Sequence, residues 1–204
     1  MLIFISCIIG YIFGSFQSSY ILGRIFNKID IREHGTSNAG ASNAAMVLGL
    51  KFGIITFFID VYKVVFAMEL TNNLFGVSSL SYCAALSAIL GHNFPFYLKF
   101  RGGKGVASFL GLFVGIDTIL GYSLGIFFFL FAIISNYISI TGIFLYLIGP
   151  FIIWQNSQNI YITFFTIIVC FIGIYLHRGN IKKIRLGEET KVREFILDKI
   201  LKRN

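Results

Sequence analysis

Charge is what this sequence is short of. Only 13% of its 204 residues are Asp, Glu, Lys or Arg, against about 25% in a typical soluble domain. Hydrophobic residues make up 56% and the mean hydropathy is +0.81, more apolar surface than one soluble core can cover. That excludes a soluble globular domain and points to an integral membrane protein. Cysteine is scarce too: Cys7, Cys83 and Cys170 lie in three separate apolar runs, with no CxxC or Cys/His spacing. Neither a zinc site nor a disulfide framework is expected, and the three read as small apolar residues. A basic n-region and a small-residue cleavage site are missing after Met1, so the first apolar run reads as a retained helix rather than a signal peptide. No internal repeat or low-complexity linker divides the chain, and residues 1–204 read as a single domain.

Long apolar runs are what the sequence does have. A spanning helix needs roughly 20 mostly apolar residues. The candidates are Leu2–Leu22, Phe52–Leu70, Val77–Leu98, Val106–Ile116, Thr118–Ser135, Ile138–Trp154 and Ile160–Leu176. The fourth is short and contains glycine, which suits a partial or tilted helix at a cavity wall. The expected fold is all-α and polytopic with about seven transmembrane helices; six plus a re-entrant element is the alternative. Basic residues test the count. Of 17 Lys and Arg, four precede the second span (Arg24, Lys28, Arg32, Lys51), three precede the fourth (Lys99, Arg101, Lys104) and nine follow His177. Seven spans put all of these on one side, as the positive-inside rule requires, with the N-terminus outside and the C-terminus cytoplasmic.

Inside the second span, Asp60 and Lys63 stand one turn apart on one helix face. Such a pair is either a functional site or a structural device that hides two charges from lipid. In the tail, Val192, Phe195, Ile196, Ile200 and Leu201 fall near one stripe among basic residues. That pattern suits a short helix lying on an anionic leaflet.

Three polar segments fall on the basic side. The first, DIREHGTSNAGASNAAMVLG (Asp30–Gly49), repeats a small-small-Asn pattern at Thr36-Ser37-Asn38 and Ala41-Ser42-Asn43. Small residues admit close backbone approach, and hydroxyls and amides supply uncharged hydrogen bonds; a plain polar loop uses the same letters. The second, FRGGKGVAS (Phe100–Ser108), places Lys104 among Gly102, Gly103 and Gly105 just before an apolar helix. It is not a Walker A loop, which needs a strand before it and Ser or Thr directly after the lysine. Amides, a helix N-terminus and an ammonium nevertheless attract an oxyanion together, so phosphate binding is expected and nucleotide hydrolysis is not. The third, HRGNIKKIRLGEETK (His177–Lys191), sets His177 and Asn180 one helical turn apart. A phosphorylated substrate met at a lipid surface is the joint implication.

These segments, with GSFQSSYILGR (Gly14–Arg24) and GHNFPFYLKFRGGKGVAS (Gly91–Ser108), resemble in order the bacterial acyl-phosphate:glycerol-3-phosphate acyltransferases. The resemblance implies a multi-pass inner-membrane enzyme with its active site facing the cytoplasm. It would transfer a fatty acyl group from acyl phosphate to the 1-hydroxyl of glycerol-3-phosphate, giving lysophosphatidate and inorganic phosphate. It further implies that Lys104 with Arg101, Gly102, Gly103 and Gly105 holds phosphate. Asn38, Asn43 and Asn180 would orient oxygens, and Thr36, Ser37, Ser139 and Glu189 would complete the site. His177 is the protein candidate for general base; the departing phosphate, which could take the hydroxyl proton itself, is the favoured one. No cofactor, metal or nucleic acid is implied. The family's arginine three residues after the second Asn is Met46 here, which leaves Arg101, Arg32 or Arg24 to supply that charge. Two other readings stay open: a transporter of a phosphorylated solute, which calls for polar residues along a path to the far side, and a diverged, inactive acyltransferase.

Overall fold

The computed structural model describes residues 1–201, the last three by backbone alone, and every regular element among them is a helix. The first span, expected as unbroken Leu2–Leu22, is divided into α1 (Leu2–Ser15) and α2 (Ser18–Leu22). Gln17 leaves the helical region at φ −105° and ψ 87°, and side chains take up the backbone groups this frees. Lys63 Nζ donates to Phe16 O at 2.9 Å, Tyr97 OH donates to Ser15 O at 2.9 Å, and the Gln17 amide donates to Tyr97 OH at 3.3 Å. In an apolar medium an unpaired backbone group is costly, so a break survives only where such partners converge.

A π-helical turn (Gly23–Asn27) and a 3-10 turn (Ile31–Glu33) lead to α3 (Ala41–Val47) and α4 (Leu50–Phe75). After α5 (Ser78–Asn93) the chain turns at Pro95 and Phe96–Leu98. The expected helix stops at Asn93 because the residue before a proline is pushed out of the helical region. Then follow α6 (Val106–Ile116), α7 (Thr118–Ser135), α8 (Ile138–Ser157), α9 (Ile160–Leu176), α10 (Arg178–Arg185) and α11 (Val192–Leu201). Leu2–Asn27, Thr118–Ser135 and Ile138–Ser157 are long and apolar enough to cross a membrane, and α9 passes the same test only when taken together with α10, from which it is bent by 40°. With 11 residues, α6 is about 16 Å long, roughly half of a ~30 Å hydrocarbon core.

Close backbone contact joins α1 to α5. Gly10 and Gly14 lie against the backbones of Ala84 and Ala88, where a methyl on either glycine would overlap the carbonyl. This is the small-xxx-small contact by which helices associate in lipid, where apolar burial gives no net drive. At the centre runs α6, whose Ser108–Val114 stretch is buried; Phe109 meets Phe113 and Tyr146 at ring distances of 5.0 Å. Outside, α7 and α9 expose Ile119, Ile126, Leu130, Ile134, Phe164 and Phe171, a surface suited to lipid tails rather than water. The tail is pinned to the end of α7: Val192 N–H donates to Asn136 O at 2.9 Å, and Arg193 covers the carbonyls of Ile133 and Ile134 at 2.9 Å each. Of the tail stripe, Val192 and Phe195 are half-buried and Ile196 is exposed; the side chains of Ile200 and Leu201 lie outside the described residues.

Candidate active site

The polar segments meet at one end of the bundle. Ala39 N–H donates to Gly102 O at 3.2 Å, joining the first loop to the glycine loop. Arg32 strengthens this joint. Its guanidinium takes Asp30 with two nitrogens, at 3.0 and 2.7 Å, and donates to Leu98 O at 2.7 Å, and this pairing holds the Asp30 carboxyl below the usual carboxylate range. Arg24 also reaches Asp30, at 3.4 Å. Two of the three arginines proposed to replace the charge missing at Met46, Arg32 and Arg24, are therefore engaged elsewhere.

The glycine loop does not offer its amides as expected. Gly102 N–H donates to Asn93 O and Gly103 N–H to His92 O, both at 3.1 Å. The last carbonyls of α5 have no helical partners, and the folded-back loop supplies them. What remains is one step further along: the amides of Lys104 and Gly105 meet no acceptor among the described residues, at the N-terminus of α6. Gly105 has φ +81°, a conformation that favours glycine, and lies between the Asn93 amide and Tyr146 OH. Asn93 is 2% exposed, yet neither its Oδ1 nor its Nδ2 has a partner among the described residues, although buried amides are normally satisfied. Nothing in the sequence pattern marked Asn93. Tyr146 fixes the loop's exit by donating to Lys104 O at 2.6 Å.

From Lys104 a chain of side chains runs across the mouth. Its ammonium donates to Asn180 Oδ1, Asn180 Nδ2 donates to Glu189 Oε1 at 2.6 Å, and Ser139 Oγ donates to the same oxygen at 3.0 Å. The ammonium only donates and the carboxylate only accepts, which sets the orientation of the Asn180 amide between them. Glu189 Oε2 is left without a partner among the described residues. Burial lowers the Lys104 ammonium to about 8, against the pull of Glu189 and with a push from Lys183. Lys183 is half-buried, one turn beyond Asn180 on α10, and its ammonium has no hydrogen-bond or ion-pair partner among the described residues. Lys183 was not among the expected site residues; its i+3 spacing from Asn180 was the available signal.

His177 is 3% exposed and sits at the end of α9, its ring edge-on to Tyr146 at 6.2 Å. Its Nδ1 lies 2.8 Å from Gly173 O. A carbonyl only accepts, so Nδ1 carries the proton and Nε2, beside Gly142, keeps the lone pair. Burial lowers the imidazole to about 4, which makes it neutral at pH 7 and a weak base.

In the first loop, two asparagines expected to orient substrate oxygens are used within the loop instead. Asn43 donates to Ile31 O, His34 O and Asn38 O at 2.9, 3.1 and 2.8 Å and accepts from the Thr36 amide at 2.8 Å. Asn38 donates to Thr36 Oγ1 at 2.8 Å and accepts from the Gly40 amide at 3.0 Å. Three carbonyls thus converge on one buried amide, a set that a carboxylate at position 43 could not serve because it only accepts. Ser37 stands exposed at φ +56°, with its hydroxyl unpaired among the described residues. Arg101 is likewise exposed, its guanidinium without a partner among the described residues. Thr190 Oγ1 lies 3.6 Å from Met46 Sδ, so the tail passes directly over the position of the missing arginine.

An apolar, helix-only body that gathers a half-desolvated lysine, a second unpaired cation and unused amides at one mouth is a membrane-embedded protein suited to an anionic headgroup. Known proteins narrow this further. Residues 4–187 match the family model described as glycerol-3-phosphate acyltransferase. The glycerol-3-phosphate acyltransferase of Thermoanaerobacter pseudethanolicus is 36% identical over 194 residues, which cover 92% of this chain and 94% of that one. That of Staphylococcus aureus (strain bovine RF122 / ET3-1) is 36% identical over 204 residues, covering 95% and 99%. The solved structure of PlsY (YgiH), an integral membrane glycerol 3-phosphate acyltransferase, in its glycerol 3-phosphate form is similar at a TM-score of 0.83 and 26% identity, covering 93% of this chain and 94% of that one. Its lysophosphatidic acid form gives 0.80 at 25% identity. The chain belongs to the glycerol-3-phosphate acyltransferase family, whose reaction serves phospholipid synthesis.

Proposed function

We propose that this protein moves a fatty acyl group from an acyl phosphate to the 1-hydroxyl of glycerol-3-phosphate, giving lysophosphatidate and inorganic phosphate. The observation that carries the reading is the mouth itself: Lys104, the open amides of Lys104 and Gly105, and the unpartnered buried Asn93 amide converge at the N-terminus of α6. Amides at a helix start and an ammonium favour a phosphate. Lys183 and Arg101 are the remaining cations that can take over from an arginine at position 46.

An acyl phosphate is a mixed anhydride, already activated, so the chain need supply no nucleophile. The C1 hydroxyl oxygen bonds to the acyl carbonyl carbon, the bond from that carbon to the phosphate oxygen breaks, and the hydroxyl proton passes to the departing phosphate. With a conjugate acid near 4, His177 fits the placing of a substrate oxygen at Nε2 better than general-base work. The protein's part is positioning and charge stabilisation: Lys104 and Lys183 hold phosphate, Asn180 orients it, Ser37 and Thr36 reach the acceptor, and Glu189 with Ser139 keeps Asn180 in place. The chain acts as one domain in a bacterial inner membrane, crossing it seven times with the site facing the cytoplasm; the one-sided placement of the basic residues supports this topology.

The test is phosphate release from palmitoyl phosphate by purified protein, with and without glycerol-3-phosphate, beside Lys104→Ala. Acceptor-dependent release that falls at least 100-fold in the variant is the expected result, on the order of a lost charged contact and its unpaired partner. Release that ignores the acceptor, or survives in Lys104→Ala, refutes the reading.

A further inference from the structure

A cluster of buried polar groups lies directly beneath the glycine loop, and the chemistry above does not use it. Lys63 sits midway along α4, 5% exposed, and its ammonium donates to three acceptors. These are Asp60 Oδ1 at 2.8 Å, Phe16 O at 2.9 Å and His92 Nδ1 at 2.8 Å. With Lys63 charged against Asp60, its ammonium has three protons and accepts nothing, so His92 Nδ1, which also lies 3.5 Å from Asp60 Oδ1, is the acceptor in that state. The ring proton of His92 is therefore on Nε2, and that edge faces the glycine loop: it lies against Gly103, where a methyl would overlap the ring. The same residue's carbonyl accepts from Gly103 N–H at 3.1 Å and from Gln17 Nε2 at 3.0 Å.

An isolated ion pair in an apolar interior is expensive, and replacing one with apolar residues is often neutral or stabilising. This pair is joined, through one imidazole, to the residue that precedes Lys104. We propose that His92, aimed by Lys63 and Asp60, is a positioning residue for phosphate binding: its ring and carbonyl set the path of Gly103 and so where the Lys104 ammonium and the Lys104 and Gly105 amides stand. The inference rests on the reading that this loop receives a substrate phosphate. The break between α1 and α2 has a place in it, because the freed Phe16 carbonyl is the third acceptor that orients Lys63. A displacement of about 1 Å at such a site is enough for a 100-fold loss.

The experiment is a size exchange across the contact, on the full chain in detergent. His92→Asn keeps an acceptor for Lys63 near the Nδ1 position but removes the ring edge against Gly103. Gly103→Ala inserts a methyl where that edge lies. Each single variant is expected to lower kcat/KM for glycerol-3-phosphate at least tenfold, chiefly through KM, and to weaken inhibition by inorganic phosphate in parallel. The double variant should recover at least tenfold over Gly103→Ala, because the shortened side chain leaves room for the methyl. Thermal unfolding of each protein is followed alongside. A His92→Asn protein with wild-type kcat, KM and phosphate inhibition but a lower unfolding temperature would make the cluster a plain packing element and overturn the proposal. So would a double variant no better than Gly103→Ala. Wild-type protein that neither turns over nor gains thermal stability from inorganic phosphate would instead overturn the phosphate reading, and this inference with it.

Discussion

The ionisation of Lys104 offers a direct check on the site. Burial lowers its ammonium from 10.5 to about 8, so keeping it charged in the empty site costs about 3 kcal/mol relative to water. A phosphate dianion offsets that cost, and binding therefore favours the protonated form. The sign follows: the competent free protein is present below about pH 8 and is lost above it. About ten in eleven molecules are charged at pH 7 and about one in eleven at pH 9, so kcat/KM for glycerol-3-phosphate, which reports the free enzyme, should fall about tenfold across that interval. An ordinary lysine would lose only a few per cent over the same range. Neither His177, near 4, nor a phosphate monoester, whose second ionisation lies near 6, interferes in the window. The assay is initial phosphate release at low glycerol-3-phosphate in overlapping buffers of constant ionic strength. Lys104→Arg, charged throughout, should be slower but should lose the alkaline limb near pH 8. A wild-type profile flat to pH 10, or an unchanged limb in Lys104→Arg, refutes the reasoning.

Two more predictions concern binding and packing. Lys183→Gln removes an unpaired cation from the mouth; KM for glycerol-3-phosphate should rise about tenfold with kcat little changed, as for one charge-assisted contact. In the same variant the alkaline limb should move to higher pH, because Lys183 pushes Lys104 down; an unmoved limb and an unchanged KM would remove Lys183 from the site. Gly14→Val forces α1 from the Ala88 backbone and should destabilise the detergent-solubilised protein by about 1–3 kcal/mol or more. Gly125→Ala on α7, with open space around its α-carbon, should be neutral, and equal unfolding temperatures for the two variants would contradict the α1–α5 contact.

Composition and the spacing of apolar runs were enough to specify the class, the all-helical fold and most helix limits. Val106–Ile116, Thr118–Ser135 and Ile160–Leu176 stand where the runs placed them, because lipid exposure demands continuous apolar sequence and backbone satisfaction demands helix. The polar segments and Lys104 were legible for a related reason: at the edge of so apolar a chain, Gly, Asn and Lys have few other uses. What local pattern could not carry is which polar groups are already taken. The Gly102 and Gly103 amides, Asn38, Asn43 and Arg32 each looked available, yet each is engaged by a carbonyl, amide or carboxylate brought close only by the fold. Lys183 and Asn93 looked ordinary and are the groups left open. The break after Ser15 was equally hidden, since Lys63 and Tyr97, far along the chain, provide its partners. A hydrogen bond depends on distance and direction, which residue spacing sets only within one helix; across helices, tertiary packing alone decides.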